Sequence, residues 1–478
     1  MPPLVGELWS WPTLLLALAV VGEVLAVVFV YRVLTRGGSA ASTLLWMVVI
    51  LAAPWLGLLA YYLLPRRLQL RRLRRLQERA DRIGTRRARC APDQEGGARG
   101  GLEQLLCMRG GLTEGNALQW LPDGERFFEC AAAAVRSATE HVHCVVYILR
   151  PDTTGLRFLA LLVEAARRGV QVRLSYDSFG SWGLRARHLE ELRAAGGRAE
   201  PFLPLLWKRR PFTVNLRNHR KLLVVDGEVA FLGGRNIADE YRLDRVGKHE
   251  RWLDAMVEVR GPAVAELQDV FVQDWYTAAD EVLDGLGGDG PATAGESRVG
   301  VVASGPDQAR SPLWFAFAQA VGEASRSVTL SSPYLVLPET LLFALQQAAA
   351  RGVKVTIYTN GPGAEAWLLY HAQRNRYRAL LDAGVELMET ASNYNHAKLL
   401  VVDERTVFVG SANMDLRSAN LNFELAVVAL DAPALAGEVL STVSERAPGF
   451  APVTVGGLPK NPLVRLLDGV CGLFAPLL

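Results

Sequence analysis

Two tracts of the chain carry the same reactive residue types at the same spacing. Their members are His219, Lys221, Asp226, Gly234 and Asn236, and, 177 residues further along, His396, Lys398, Asp403, Ser411 and Asn413. One such tract alone is typical of a surface strand with mixed charges. A matched pair at a constant offset is hard to obtain by chance, and it predicts one site built from the two halves of a duplicated chain.

These residue types suit the chemistry of a phosphate ester. Side chains alternate in direction along a strand, so His-x-Lys places an imidazole and an ammonium on one face. An imidazole can attack phosphorus or carry a proton, and lysine and asparagine side chains can donate hydrogen bonds to phosphoryl oxygens. Because small turn residues let the backbone approach closely, Gly234 and Ser411 are candidate phosphate contacts, beside Asn236 and Asn413.

The use of lysine rather than arginine at the matched positions indicates whether the site needs a metal. The chain has 46 arginines and 6 lysines, yet lysine stands at both matched positions, which indicates that a compact ammonium is needed there. Since lysine can supply the positive charge that Mg²⁺ supplies at other phosphoryl-transfer sites, we expect neither a metal nor a cofactor.

Two carboxylates follow the histidines at comparable distances. Asp254 and Glu424 lie 35 and 28 residues after the histidine of their own half. Each is a candidate to fix the tautomer of an imidazole, and a structural ion pair is an equal alternative.

The elements that must position these residues alternate between strand and helix. In the first half, strands are predicted at 142–147, 170–176 and 221–226, with helices at 156–168 and 188–195. The second half repeats the order, with strands at 328–334, 353–358 and 398–403 and helices at 340–351 and 376–383. We therefore expect an α/β fold in which two pseudo-symmetric halves share one active site, with a mixed or mostly parallel sheet.

The N-terminal region has the composition of membrane helices. Residues 13–31 form an apolar run broken only by Glu23, and residues 44–64 form a second run without a charge. About 20 apolar residues are needed to cross a bilayer, so a hairpin of two transmembrane helices is predicted. Two buried helices of a globular domain, or a signal peptide with one further helix, are the alternatives; the flanks fit a signal peptide poorly.

The charge of the chain is concentrated in one segment. Residues 66–89 hold eleven arginines against Glu78 and Asp81, a local charge of +9, which leaves residues 90–478 mildly acidic in a chain of net charge +3. This distribution argues against a nucleic-acid-binding protein. By the positive-inside rule, the basic segment places everything after it in the cytoplasm. The five cysteines, widely spaced and odd in number, are expected to be reduced thiols.

The two His-x-Lys-x4-Asp motifs resemble those of the phospholipase D superfamily, and the resemblance covers residues 116–478. More narrowly, the chain is similar to the bacterial cardiolipin synthase branch. That similarity rests on Gly-Gly-x-Asn-x-x-Asp-Glu-Tyr at 233–241, on the tracts at 410–418 and 421–424, on the two apolar runs and on the apolar tail. One departure is that Trp252-Leu-Asp254-Ala-Met256 lacks the threonine and histidine that the family often has.

The resemblance implies an α/β protein with two phospholipase D-like halves that acts through a phosphohistidine. The implied reaction transfers a phosphatidyl group from one phosphatidylglycerol to another, giving cardiolipin and glycerol without a cofactor. His219 would be the nucleophile and His396 the acid and base, or the reverse. The runner-up is a membrane-bound phospholipase D that uses water or another alcohol. A tethered nuclease and a non-catalytic lipid scaffold are weaker alternatives, because no basic groove is indicated and both motifs are intact.

The expected organisation follows from these observations. It comprises a transmembrane hairpin at 1–65, a basic amphipathic collar and linker at 66–110, the first half at 111–290 and the second half at 291–478. We expect a multi-pass protein of the cell membrane whose catalytic part faces the cytoplasm and whose partners are anionic phospholipids rather than nucleic acid.

Overall fold

The computed structural model describes most of the chain. The described residues are 11–35, 40–63, 101–109, 111–204, 215–243, 252–283, 292–308, 311–363, 367–391 and 393–474. They divide into two compact units, the three N-terminal helices and the residues from Gly101 onward. The basic collar predicted at 66–89 lies outside the described residues.

The N-terminal unit consists of α1 (Trp11–Thr35), α2 (Ala40–Ala52) and α3 (Pro54–Leu63). Within the described residues, α1 is the one helix that is long and apolar enough to cross a membrane. The first predicted span is therefore observed as a helix. The second apolar run is divided between α2 and α3, because Pro54 cannot donate the backbone hydrogen bond that would continue α2.

The second unit begins with α4 (Gly101–Arg109), which lies in the predicted collar and linker. The helices of the first predicted half are α5 (Gly124–Ser137), α6 (Thr153–Arg167), α7 (Glu190–Ala194), α8 (Asp239–Leu243) and α9 (Ala263–Ala279). Its strands are β1 (Leu112–Leu121), β2 (His141–Val146), β3 (Gln171–Asp177), β4 (Arg198–Phe202), β5 (Arg217–Asn218), β6 (Leu222–Val225), β7 (Val229–Gly233), β8 (Trp252–Leu253) and β9 (Met256–Arg260).

The second half repeats this order. Its strands are β10 (Ser297–Ser304), β11 (Ser327–Ser331), β12 (Leu335–Val336), β13 (Lys354–Thr359), β14 (Glu386–Thr390), β15 (Tyr394–Asn395), β16 (Leu399–Val402), β17 (Thr406–Gly410), β18 (Met414–Asp415), β19 (Asn422–Leu430) and β20 (Phe450–Val453). Its helices are α10 (Pro312–Glu323), α11 (Glu339–Ala350), α12 (Trp367–Asp382), α13 (Leu416–Asn420), α14 (Pro433–Arg446) and α15 (Pro462–Phe474).

The strands form a continuous mixed sheet with internal symmetry. The order is β4-β3-β2-β6-β7-β9-β1 in the first half and β10-β19-β17-β16-β11-β13-β14-β20 in the second, joined through the antiparallel pair β1 and β10. In each half, three strands are parallel (β2, β3 and β4; β11, β13 and β14) and the next strands inward are antiparallel. The predicted duplication and α/β class are therefore observed.

The hydrophobic core explains why the halves form one unit. The apolar strand residues are buried on both faces of the sheet, as expected of strands covered by helices. One apolar cluster spans the two halves, combining residues of β6 and β9 with residues of β16 and β19 under helices α9 and α14. Separate clusters lie beneath the outer helices of each half.

The state of the cysteines differs from the expectation in one respect. Cys130, Cys144 and Cys471 are free thiols. Cys107, in contrast, is disulfide-bonded, so the expectation of reduced thiols throughout is wrong for this residue.

Candidate active site

Short strand pairings between the halves position the two histidines. Strand β5, directly before His219, pairs with the start of β19, and the backbone N–H of His219 donates to the carbonyl of Phe423 (2.9 Å). Strand β15, directly before His396, pairs with β8, and the backbone N–H of His396 donates to the carbonyl of Leu253 (2.6 Å). These backbone hydrogen bonds place His219 beside Glu424 and His396 beside Asp254.

Glu424 and Asp254 are the two carboxylates suggested by the sequence. Glu424 receives the Nδ1–H of His219, with both carboxylate oxygens 3.1 Å from Nδ1. Asp254 receives the Nδ1–H of His396, 2.6 Å from its Oδ2. Each carboxylate therefore serves the histidine of the opposite half, not the one that precedes it in its own half. Because Nδ1 carries the proton, Nε2 of each ring keeps its lone pair.

The turns predicted to contact phosphate instead support these carboxylates. A Cβ atom on Gly234 would lie 2.0 Å from Oδ1 of Asp254, so only glycine leaves room for that carboxylate. Ser411, at the matching position, donates its hydroxyl to Glu424 and accepts the backbone N–H of Leu425 at 3.0 Å. In the structure, Gly234 and Ser411 therefore contact the carboxylates that bind the two histidines.

The two lysines lie against the histidine backbone. Lys221 Nζ donates to the carbonyl oxygen of His219 at 2.6 Å, and Lys398 Nζ donates to that of His396. The Lys221 ammonium also lies 5.3 Å from the ring centroid of Tyr147. Both lysines are buried, and His219 and His396 are each less than a tenth exposed.

Burial and neighbouring charges set the protonation of the site. Burial lowers the pKa of His219 to about 4 and, with the Lys398 charge, that of His396 to about 3. Burial also lowers the pKa of Lys398 to about 8 and that of Lys221 well below its ordinary value. The free site therefore holds neutral imidazoles at pH 7.

The carboxylates remain ionised in the same surroundings. Burial acts to raise the pKa of Asp254, but its electrostatic interaction with His396 and the positive charge of Lys398 outweigh burial and hold that pKa below its usual value. Burial opposes ionisation of Glu424 in the same way, but the electrostatic interaction and hydrogen bond with His219, together with the charge of Lys221, lower the pKa of that carboxyl group. An ionised carboxylate favours the imidazolium that forms when a neutral imidazole takes up a proton.

The two predicted asparagines differ in their contacts. Asn236 Oδ1 accepts the backbone N–H of Ile148 at 3.1 Å, so part of its side chain holds the segment that follows β2. Asn413 is buried, and its Oδ1 has no hydrogen-bond partner among the described residues. A ligand contact is therefore more readily supported for Asn413 than for Asn236.

The structure does not bring Asp226 and Asp403 to the site, and their inclusion in the catalytic set is corrected. Each lies past the far end of its strand, β6 or β16, in a turn residue with φ of 52°. Asp226 accepts the backbone N–H groups of residues 139–141, and Asp403 accepts those of residues 325–327. The repetition of each aspartate at the same distance from its histidine reflects a structural tie between neighbouring strands.

Sequence reasoning missed the residues that surround the imidazoles. The ring of Tyr147 meets that of His219 edge-on at 4.9 Å between centroids, and Tyr241 meets His396 at 5.4 Å. Trp252 and Tyr394 complete the aromatic wall around His396. Tyr241 and Trp252 stood within motifs already noted, but no residue spacing reveals that they face a histidine from the other half.

Arg220 is a second omission. As the middle residue of His-x-Lys it points away from the site, where its Nη1 lies 2.5 Å from Asp274 and its Nε donates to the carbonyl of Glu424 (3.1 Å). The ion pair ties Arg220 to α9, and the hydrogen bond from Nε ties it to β19, which supports the cross-half contact of His219. Among the described residues, no cluster of three or more potential metal ligands occurs.

Comparison with known proteins agrees with this geometry. The family described as "Cardiolipin synthase, PLD-like domain" matches residues 132–275 and 317–445, and "Phospholipase_D-nuclease N-terminal" matches residues 24–64. A cardiolipin synthase of Geobacillus thermodenitrificans (strain NG80-2) is 34% identical over 95% of this chain and 92% of its own length. That of Geobacillus kaustophilus (strain HTA426) is 35% identical over 87% of this chain and 85% of its own length.

A solved structure supports the fold independently. The phosphatidylserine synthase of Haemophilus influenzae Rd KW20 superimposes with a TM-score of 0.58, covering 76% of this chain and 95% of that chain at 14% identity. The duplicated halves, the paired histidines and the extent of these matches lead to one conclusion: the chain belongs to the cardiolipin synthase, phospholipase D-like family.

Proposed function

We propose that this protein is a cardiolipin synthase that transfers a phosphatidyl group from one phosphatidylglycerol to a second, releasing glycerol. The observation that carries the proposal is the pair of buried histidines, each hydrogen-bonded to an ionised carboxylate of the opposite half. The choice of phosphatidylglycerol as substrate is supported by the relatives at about 35% identity over most of the chain, which are cardiolipin synthases.

The first step forms a phosphohistidine. The Nε2 lone pair of His219 attacks the phosphorus of one phosphatidylglycerol, a P–N bond forms and the P–O bond to the headgroup glycerol breaks. His396 gives its Nε2 proton to the departing glycerol oxygen, so glycerol leaves as a neutral alcohol. The Nδ1–H bond to Glu424 disperses the positive charge that develops on the attacking imidazole.

The second step breaks the P–N bond and forms a new P–O bond. The headgroup hydroxyl of a second phosphatidylglycerol attacks the phosphorus while His396, now neutral, accepts its proton. The P–N bond breaks, His219 recovers its lone pair, and cardiolipin is the product. His396 ends the cycle protonated, as it began, so atoms and protons balance.

His396 takes up its proton from water when the substrate binds. In the free site, burial holds the pKa of His396 at about 3. An anionic phosphodiester placed against the ring raises that pKa, because the negative charge stabilises imidazolium. Lys221 and Lys398 stabilise the charge on the non-bridging oxygens and so supply the role that a metal has elsewhere. The assignment of His219 as nucleophile and His396 as acid and base is part of the proposal, since the halves are nearly symmetric.

The membrane arrangement is also proposed. Residues 1–65 form a two-helix transmembrane hairpin, residues 66–110 a basic collar and linker, and residues 111–290 and 291–478 the two catalytic halves, with the catalytic part in the cytoplasm. The length of α1 and the arginine excess at 66–89 support this topology. Reporter fusions after residues 37 and 110 should place the first outside and the second inside the cell.

One experiment tests the reaction. Purified protein is incubated with phosphatidylglycerol vesicles, and the lipid products are identified by mass spectrometry. Cardiolipin and an equal amount of glycerol are expected, whereas phosphatidic acid as the main product would show that water is the acceptor. His219→Ala and His396→Ala should each abolish both products, and Arg378→Ala, at an exposed ion pair on α12, is the matched control.

A further inference from the structure

The C-terminal helix α15 is fastened to the second half by its inner face. Asp468, which is buried, accepts hydrogen bonds from His371 Nδ1 (2.7 Å) and from Nε and Nη2 of Arg374 (2.8 and 2.6 Å), both on α12. Cys471, one turn further on, is buried against Ala372. These contacts fix the rotation of α15 about its axis.

The outer face of α15 is apolar and exposed. Its large apolar residues with side chains open to solvent are Leu463, Leu466, Leu467, Val470 and Leu473. Three of them, Leu463, Leu466 and Leu473, are between 64% and 74% exposed. Trp367, on the neighbouring helix α12, is 61% exposed and lies 5.5 Å from the His371 ring that binds Asp468. The apolar face therefore continues from α15 onto α12.

Through its inner face, α15 is joined to segments of the candidate active site. Cys471 packs with Val336 and is joined in the same cluster by Leu416. Val336 belongs to β12, two residues after Tyr334, and Leu416 follows Asn413 by three residues. Tyr334 in turn contacts Tyr394 of the aromatic wall through their hydroxyl groups, 3.2 Å apart. The helix is thus built onto the segments that leave the sheet at the site.

The exposed charges of the segment that contains α15 are of one sign. Between residues 458 and 473, Lys460 and Arg465 are exposed, while the single acidic residue, Asp468, is buried in its ion pair. An apolar helical face bordered by basic side chains and a tryptophan is the pattern of a helix that lies in a membrane interface.

We propose that the outer face of α15, together with Trp367, rests in the headgroup region of an anionic phospholipid bilayer and holds the active site at the lipid surface. The proposal rests on the proposed function for its lipid substrate. A second copy of the chain is a poorer occupant. A helix of 13 residues is about 20 Å long and offers about 200 Å² of face, far below the roughly 800 Å² per partner of a stable interface.

The test measures lipid contact without relying on activity. The full chain is reconstituted into vesicles of phosphatidylglycerol and phosphatidylethanolamine, with an environment-sensitive fluorophore attached at Leu466→Cys. The matched position is Phe343→Cys, on α11, where the parent residue is 62% exposed against 64% for Leu466. The parent chain, carried through the same labelling, gives the background of the native cysteines. Spin-labelled lipid should quench the probe at 466 at least threefold more than the probe at 343.

Activity provides a second, separate measurement. Leu466→Glu should lower turnover on vesicles at least fivefold and less than twofold in detergent micelles, while Phe343→Glu changes neither. Equal quenching at the two positions would overturn the proposal. So would a parent chain that is a dimer in detergent together with a Leu466→Glu chain that is a monomer, because the face would then bind a second copy. An inactive parent chain would refute the proposed function, yet the quenching result would still decide the membrane contact.

Discussion

The cross-half carboxylates offer the sharpest test of the site. Each of Asp254→Asn and Glu424→Gln keeps the size of the side chain but removes the charge that faces an imidazole. At 3.1 Å from Nδ1, and with an effective dielectric constant of about 20, a carboxylate attracts an imidazolium by roughly 5 kcal/mol. The amide retains a hydrogen-bond acceptor, so we expect a loss of about 3–5 kcal/mol of transition-state stabilisation, or roughly 10²–10⁴ in kcat.

The assay separates the two histidines by the leaving group. With phosphatidylglycerol, both variants should be slow at little-changed KM. With a phosphatidyl-p-nitrophenol substrate, the departing phenolate needs no proton. The variant that impairs the acid should then recover release of p-nitrophenol, and the variant that impairs the nucleophile should not. If His396 is the acid, the recovering variant is Asp254→Asn, although Asp254 belongs to the half that contains His219.

Controls exclude a loss of folding. Glu258, on β9, is four residues after Asp254, pairs with Arg260 and lies outside the site. Glu258→Gln should leave kcat within twofold of the parent. Thermal unfolding of all variants in detergent is compared in parallel. Either cross-half variant turning over phosphatidylglycerol within threefold of the parent, with an unchanged KM, would refute the argument that the paired carboxylates stabilise the imidazolium.

Three further predictions follow from the same structure. Gly234→Ala should lower kcat at least 100-fold in detergent, because the added Cβ would lie 2.0 Å from Oδ1 of Asp254; a rate near that of the parent would show that this carboxylate can shift without cost. Asp403→Ala should lower the free energy of unfolding by about 1–3 kcal/mol, measured by denaturant titration, while kcat stays within twofold, since it leaves three backbone N–H groups without their acceptor. The kcat/KM of the parent should fall as pH rises through about 8, because Lys398 loses its charge above its pKa of about 8, and Lys398→Arg should move this alkaline limb upward; an identical limb in both proteins would contradict the assignment.

Much of this architecture follows from local sequence patterns. The α/β class and the duplication were predictable because apolar runs with β-branched residues and alanine-rich helical segments recur in the same order. The pair of histidines and lysines was equally predictable from spacing. The division of the second apolar run at Pro54 also has a local cause, although the proposed second span extends across it.

What the sequence could not reveal depends on contacts distant in the chain. The pairing of Asp254 with His396 results from two-residue strands that join segments about 140 residues apart, and no periodicity marks so short a pairing. The place of Asp226 depends on the length of β6, which ends at Val225 and leaves the carboxylate in the following turn. The motif thus identified residues that recur together in the sequence. It did not distinguish residues at the active site from residues that hold neighbouring strands together.

The exchange of carboxylates between the halves limits how this protein can change. A substitution beside Asp254 alters the pKa of His396, which lies 142 residues further along the chain. The sequence of each half is therefore constrained by the sequence of the other. A separation of the halves would likewise disconnect both histidines in a single event, because each contact spans the same boundary. We therefore expect a chain whose halves have separated to lose both histidine–carboxylate pairs together, whereas a substitution at one carboxylate removes only one pair.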